Sequence, residues 1–152
     1  MEDLSLHILD IAENSISGSA KRIEIRIDED HAEDLLTIEI RDDGKGMDEQ
    51  TLQKALDPFF TTRKTRRVGL GLSLLAQAAR ETDGKIELNS RPGQGTTVKA
   101  TFCLSHLDRK PMGDINETMR TLVVGHPEID FLYEHKRNGS TYRFDTRETD
   151  RK

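Results

Sequence analysis

The sequence predicts an α+β fold, a two-layer α/β sandwich with helices on one face of a mixed, mostly antiparallel sheet. Three observations support this prediction. An apolar segment with helical spacing begins the chain, two segments that alternate with a period of two follow it, and after a glycine-bearing loop the same helix and two strands occur again. A chain of 152 residues with this pattern is expected to form one compact core.

Composition narrows the class of protein. Hydrophobic and charged residues each make up 34% of the chain, and the periodic apolar segments favour a globular protein over a disordered one. The formal net charge of −5 disfavours non-specific nucleic-acid binding, because phosphate neutralisation requires clustered cations. The sequence shows neither a bilayer-spanning apolar run nor a secretion signal, so we expect a cytoplasmic location without membrane attachment. Cys103 is the single cysteine, which excludes an internal disulfide.

The elements of the core follow in order. Residues 4–17 are expected to form a helix, because Leu4, Ile8 and Ile11 share one face. Residues 23–27 and 36–40 then alternate as an antiparallel pair of strands. A second helix should end at Gly84 in the left-handed conformation. Two further strands, around residues 86–88 and 98–104, are joined by a turn at 91–95.

Residues 106–152 are interpreted as a C-terminal extension of a domain formed by residues 1–105. Asp114 is expected to cap a short helix, and Asn138-Gly139 to turn a β-hairpin. The charged residues after Phe144 are expected to fray. An isolated hairpin is marginally stable, so it should pack on the domain, pair with another subunit in a homodimer, or receive a partner protein.

The first helix carries residues suited to metal and phosphate chemistry. Asn14 offers a side-chain carbonyl that can serve as an oxygen ligand of Mg²⁺. Asp10 lies one turn earlier on the same face, where a carboxylate could orient or deprotonate an attacking water. Glu13 is rotated by about 100° from Asn14 around the helix axis, so Asp10 is the favoured candidate base. The alternative is an ordinary amphipathic helix with a polar wet side.

A carboxylate and two glycines follow the second strand. Asp42 could accept a hydrogen bond from the exocyclic amine of adenine, which would favour ATP over GTP. Gly44 and Gly46 lack a Cβ and would let the backbone pass close to the base. Met47 completes this candidate nucleotide-binding segment. The same six residues are also compatible with a surface turn.

A basic stretch and a second glycine pair complete the candidate site. Residues 57–67 are interpreted as a mobile lid, in which we assign Phe60 and Arg63 to nucleotide binding and Lys64 to catalysis. Gly69-Leu70-Gly71-Leu72 begins the next helix, whose N–H groups and positive dipole end offer an anion site. The alternative is a solvated basic loop that docks an acidic partner.

These motifs together resemble the Bergerat-fold ATP-binding superfamily over about residues 4–104. The resemblance is carried, in order, by Glu13-Asn14, Asp42-x-Gly44-x-Gly46, Asp57-Pro58-Phe59-Phe60, Gly69-Leu70-Gly71-Leu72 and Gly93-x-Gly95-Thr96. Residues 57–62, 69–74, 84–86 and 93–97 are similar to the catalytic domain of bacterial sensor histidine kinases. Residues 13–20 are more similar to the mismatch-repair type.

The resemblance implies specific roles for residues. Asn14 would bind Mg²⁺, Asp42 and Thr96 would contact adenine directly or through water, and Gly69 and Gly71 would contact phosphate. Asp10 stands where hydrolysing members of the superfamily usually have Glu and kinases usually have Asn. Its side chain is one methylene shorter than that of Glu.

The sequence therefore predicts a stand-alone, histidine-kinase-like protein that binds Mg·ATP and phosphorylates or regulates a separate partner protein, docked through the C-terminal hairpin. An ATP-hydrolysing conformational switch and a nucleotide-binding regulator without chemistry are the open alternatives. Residues 105–112 only superficially resemble a phosphoacceptor box, because Leu107 stands where the family has an acid beside the histidine. We therefore expect the acceptor to lie elsewhere.

Overall fold

One sheet organises the chain in a computed structural model that describes residues 3–46, 48, 50, 70–105 and 112–146. Across these ranges the strands lie in the order β3-β4-β2-β1-β5-β6. The predicted α+β fold with a mixed, mostly antiparallel sheet is confirmed. The elements are α1 (Leu4–Ser17), β1 (Arg22–Asp30), β2 (Leu35–Asp42), α2 (Leu70–Arg80), β3 (Lys85–Ser90), β4 (Thr96–Cys103), α3 (Ile115–Gly125), β5 (Asp130–Arg137) and β6 (Ser140–Asp145).

Helix α1 has the bounds that the apolar spacing predicts. The carboxylate of Asp3 accepts a hydrogen bond from the backbone N–H of Leu6 at 3.1 Å, which satisfies one of the free donors at the helix start. Leu4 and Ile8 are fully buried against the sheet. The N–H of Gly18 donates to the carbonyl of Asn14 at 3.0 Å and ends the helix.

The centre of the core is the antiparallel pair β1 and β2. Ile25 lies opposite Ile40, as the alternating pattern predicts. One face of these strands is almost completely buried, through Ile23, Ile25, Ile27, Leu36, Ile38 and Ile40. Each such side chain contributes about 1.5–3 kcal/mol of burial free energy. This pair therefore fixes the position of the strand end at Asp42.

The end of α2 differs from the prediction for Gly84. The left-handed residue is Asp83, with φ of 62°, and not Gly84. Glycine is needed at position 84 for another reason, because a Cβ there would lie 1.8 Å from the carbonyl oxygen of Thr101. The close approach of two backbones decides this position.

The C-terminal hairpin joins the sheet. Strand β5 pairs in parallel with β1, so that Tyr133 lies opposite Ile25. Asn138 and Gly139 both have positive φ, as a tight two-residue turn requires. Of the three expected arrangements the structure contains intramolecular packing, and one sheet spans both sides of the predicted boundary at residues 105 and 106. That domain division stays a prediction.

The expectation that the chain frays directly after Phe144 is wrong for the next two residues. Asp145 and Thr146 are both buried. The hydroxyl of Thr146 accepts the N–H of Phe131 at 2.9 Å, which anchors the end of β6 to the start of β5. No helix within the described ranges is long and apolar enough to cross a membrane.

A carboxylate on β1 holds the hairpin near its turn. Glu29 accepts hydrogen bonds from His135 at 2.6 Å and from Arg137 at 3.2 Å. Burial acts to raise the pKa of Glu29, but the bonds from His135 and Arg137 outweigh it and hold the pKa below its usual value. A depressed carboxylate pKa stabilises the fold above the unfolded value of 4.5, and this stability is lost as the pH falls below it.

We expect Glu29→Gln to lower the free energy of unfolding by about 1–2 kcal/mol at neutral pH, since charge-assisted hydrogen bonds are lost. The loss should shrink as the pH falls through the folded-state pKa of Glu29. Urea unfolding at neutral and acidic pH measures both effects. The exposed Glu87→Gln on β3 is the control and should change neither. An equal loss at every pH would contradict the ionic role of Glu29.

Candidate functional site

The carboxylate of Asp42 is fixed by two hydrogen bonds at the end of β2. Its Oδ2 accepts from the hydroxyl of Ser15 at 2.7 Å, and its Oδ1 accepts from the N–H of Gly44 at 2.8 Å. Hydrogen bonds to an ionised acceptor are stronger than neutral ones. The half-buried carboxylate is thus held against α1, one residue along from Asn14. Two of the predicted motifs meet at this point.

Asn14 and Asp10 lie on the half-buried side of α1, one turn apart. The side-chain amide of Asn14 makes no hydrogen bond with the described part of the chain. Glu13 is exposed and contacts His126, with 3.3 Å between its Oε1 and the Nε2 of the imidazole. Glu13 is therefore engaged with the C-terminal extension, and the choice of Asp10 as the candidate base stays a prediction.

Backbone contacts join the loop after β2 to the turn before β4. The N–H of Gly93 donates to the carbonyl of Lys45 at 2.6 Å. A Cβ at Gly46 would lie 2.0 Å from the carbonyl oxygen of Arg91, and one at Gly95 would lie 2.1 Å from that of Asp42. The sequence pattern predicts that Gly46 lets the backbone pass close to a base. The structure shows that the protein's own backbone already requires glycine there.

Gly44 is packed against the end of α1. It is buried, and a Cβ would lie 2.7 Å from the carbonyl oxygen of Gly18. The same carbonyl accepts the N–H of Lys45 at 2.9 Å. The loop 42–46 is thus positioned by the end of α1 on one side and by the turn 91–95 on the other.

Thr96 is brought next to Asp42 by strand pairing. The two residues are directly opposite in the antiparallel pair of β2 and β4. The hydroxyl of Thr96 lies 2.7 Å from that of Ser90, which orients it. Side by side at a strand end, the carboxylate can accept hydrogen bonds from the donors of a purine edge, and the hydroxyl can donate to its acceptors.

The remaining predicted residues divide into two groups. Leu70, Gly71 and Leu72 form the first turn of α2, which packs against α1. The other group lies outside the described residues and comprises Met47, Phe60, Arg63, Lys64, Gly69, the rest of the predicted lid at 57–67 and the segment 106–111 that contains His106.

Two residues that the sequence analysis did not select support this site. Ser15 is buried and binds Asp42. Asp43 accepts the backbone N–H groups of Lys21 and Arg22 at 2.8 and 3.0 Å. Burial acts to raise the pKa of Asp43, but these bonds outweigh it and lower the pKa. Ser15 could have been found from the sequence, because it follows Ile11 by four residues and so lies on the apolar face of the helix. The sequence holds no comparable signal for Asp43.

The donor set fits a magnesium ion that is bound mainly by phosphates. The described residues contain no group of three His, Cys, Asp or Glu side chains that could hold a metal alone. Magnesium commonly keeps several waters and takes only one or two protein ligands beside nucleotide phosphates. The amide oxygen of Asn14 is suited to be one such ligand.

The curated relatives of this chain include sensor kinases. The chain is 36% identical over 110 residues to the sensor protein kinase FleS of Pseudomonas aeruginosa, which covers 72% of this chain and 27% of that protein. It is 30% identical over 90 residues to the sensor histidine kinase YxdK of Bacillus subtilis, covering 57% of this chain and 27% of that protein. The chain thus spans about a quarter of the length of these relatives.

A solved structure shares the fold. The ATPase domain of Aquifex aeolicus MutL, complexed with ADP, superposes with a TM-score of 0.60 at 16% identity, and covers 95% of this chain and 62% of that one. This likeness extends past residue 106 into the hairpin.

The sequence profile of the histidine kinase-, DNA gyrase B- and HSP90-like ATPases matches residues 2–106, the part of the chain that contains Asn14, Asp42 and Thr96. This match supports ATP binding. The chain belongs to the family of histidine kinase-, DNA gyrase B- and HSP90-like ATPases.

Proposed function

We propose that this protein binds Mg·ATP between α1 and the strand ends of β2 and β4, and uses it to phosphorylate or regulate a separate partner protein. The observation that supports this most is the bond of 2.7 Å between Ser15 and Asp42. It couples the proposed adenine-binding carboxylate to the helix that carries Asn14. Both ends of one nucleotide can therefore be addressed from a single rigid unit.

Each residue has a distinct task in this proposal. Asp42, held by Ser15 and Gly44, accepts the exocyclic amine of adenine. Asn14 supplies an oxygen to magnesium, which when bound neutralises the phosphate charge. The first turn of α2, at Leu70, Gly71 and Leu72, offers its free backbone N–H groups to the phosphates. Gly69 is assigned to phosphate binding from the sequence alone. Phosphoryl transfer then rests chiefly on positioning and charge neutralisation.

Incubation with ATP labelled on the γ-phosphate tests the proposal. The purified chain is mixed with fractions of soluble protein from its source, and label is followed on gels and as free phosphate. Label that moves to a protein supports transfer. Release of phosphate alone supports the hydrolytic switch, and binding without either supports regulation. Absence of nucleotide binding by calorimetry with magnesium present would overturn all three.

Asn14→Ala is expected to weaken Mg·ATP binding by about tenfold, since one metal ligand of roughly 1.4 kcal/mol is lost. Without magnesium, nucleotide binding should be equal in the variant and in the wild type. Calorimetry with magnesium and with EDTA separates the contribution of the metal from that of the nucleotide alone. Exposed Ser17→Ala, one turn later on α1, is the matched control. Equal loss with and without magnesium would remove Asn14 from the metal site.

The hydrolytic switch is the second candidate, and the contact between Glu13 and His126 favours it. This contact joins the helix that carries Asp10 and Asn14 to the residue that follows α3. A shift of α1 upon nucleotide binding would therefore reach the C-terminal extension. In this alternative Asp10 activates water, and the extension reports the nucleotide state to a partner.

A further inference from the structure

A groove lies between α3 and the hairpin, apart from the proposed nucleotide site. Its volume is about 1020 Å³. We call it the docking groove and define it by Met119, Val123, Arg120, Tyr133, Tyr142 and Phe144. None of these residues belongs to α1, to the loop 42–46 or to the turn 91–95. It is therefore free to bind a second molecule while nucleotide is present.

The docking groove has an apolar floor that remains open to solvent. Tyr133 and Met119 are buried at the floor of the groove. Two other residues that line the groove are exposed, Tyr142 to 57% and Val124 to 74%. These two belong to a short set of large apolar side chains that the described residues expose. Grouped apolar exposure next to a groove indicates a binding surface.

Strand β6 adds a free backbone edge along this groove. It is the last strand of the sheet, and within the described ranges no strand pairs with its outer side. Arg137 and Ser140 close the two-residue turn as a hydrogen-bonded pair. The alternation of an antiparallel ladder then directs the N–H of Thr141 away from β5. An extended segment could pair with these groups and place alternate side chains beside Tyr142 and Phe144.

The charges at this edge select an acidic occupant. The exposed charged residues of the hairpin are Lys136, Arg137 and Arg143, all cations, in a chain whose net charge is −5. Asp130, Glu134 and Asp145 are half-buried or buried. The wall formed by α3 carries both signs, since Asp114 and Arg120 are exposed and Arg120 lies 3.8 Å from Glu117, so the excess of cations comes from the hairpin. A second copy paired through β6 would bring like charges together, which disfavours a homodimer here.

We propose that the docking groove receives an extended segment of a separate protein, with alternating apolar and acidic residues, as a seventh strand beside β6. Binding of the segment does not depend on the proposed function. Only the identification of its protein as the partner that the nucleotide state controls rests on the proposed function. The main-chain bonds to β6 give affinity, and carboxylates at the alternate positions, on the face of the hairpin that carries Lys136 and Arg143, give selectivity.

Peptide phage display on the immobilised full chain tests this directly. Enriched sequences should alternate apolar with Asp or Glu residues. Synthetic peptides of the enriched sequence should bind about tenfold more weakly to Arg143→Glu and to Thr141→Pro, which remove the cation and the outward N–H respectively. Lys99→Glu on β4 and Thr141→Val are the matched controls and should bind as the wild type does. Circular dichroism checks that each variant is folded.

Several outcomes would overturn the inference. These are no enrichment, enrichment of cationic peptides, binding that Thr141→Pro and Arg143→Glu both leave unchanged, or a dimer in sedimentation that Thr141→Pro dissociates. Nucleotide binding is measured on the same samples. A wild-type chain that binds Mg·ATP but enriches no such peptide overturns the groove inference alone, whereas a wild-type chain that binds the peptide but not Mg·ATP overturns the proposed function alone.

Discussion

Asp42→Asn is expected to weaken ATP binding by about 10–150-fold, because a hydrogen bond to a charged acceptor is worth about 1.5–3 kcal/mol. The substitution keeps the local structure. The remaining oxygen can still accept the N–H of Gly44, and the hydroxyl of Ser15 can turn to accept from the new amide. Calorimetry with magnesium present measures the affinity, and thermal unfolding verifies the fold. Alanine would instead leave both partners unsatisfied.

Asp43→Asn is the matched control for this prediction. Its carboxylate binds the backbone N–H groups of Lys21 and Arg22 and belongs to the support of the loop. We expect lower stability with ATP affinity within about twofold of the wild type, since surface-loop support contributes to folding and not to purine recognition. Unchanged ATP affinity in Asp42→Asn would remove Asp42 from the adenine site. An equal loss in both variants would indicate an indirect effect of the loop.

The fold could be predicted from the sequence wherever a single periodic pattern of apolar residues determines an element. The bounds of α1 follow from the spacing of Leu4, Ile8 and Ile11, and the antiparallel pair follows from alternating Ile25 and Ile40. These patterns succeed because amphipathic elements gain most of their stability from the burial of one face. The strand end at Asp42 and its proximity to Asn14 were predictable through the same logic, with the family resemblance supplying their order.

Contacts between distant segments were not predictable in this way. The parallel pairing of β5 with β1 depends on residues more than a hundred positions apart in sequence, and no local pattern encodes it. The same holds for the bond from Ser15 to Asp42 and for the glycine at position 84, where a facing carbonyl excludes a side chain. Local periodicity identifies faces, whereas tertiary packing decides which faces and backbones meet.

Asp10→Asn is expected to lower the rate of phosphate release to water by about 10²–10⁴-fold, the usual contribution of a positioned general base. Asn keeps the size and hydrogen-bonding capacity of the side chain on α1, so Mg·ATP binding should stay within about twofold of the wild type. Release of free phosphate under single turnover, together with calorimetric affinity, measures the two quantities separately.

The matched control is Asp10→Glu, which keeps the carboxylate and adds the methylene that the hydrolysing relatives are expected to carry. This variant should retain or raise phosphate release, since the base is preserved and its reach toward the attacking water grows.

Transfer of label to a protein acceptor does not require a water-activating base at position 10, because the acceptor supplies the nucleophile and positioning supplies most of the rate. Loss of phosphate release with label transfer intact in Asp10→Asn would therefore identify transfer as the function and hydrolysis as a side reaction. An unchanged rate of phosphate release in Asp10→Asn would exclude Asp10 as the base and leave the hydrolytic switch without a catalytic residue on α1.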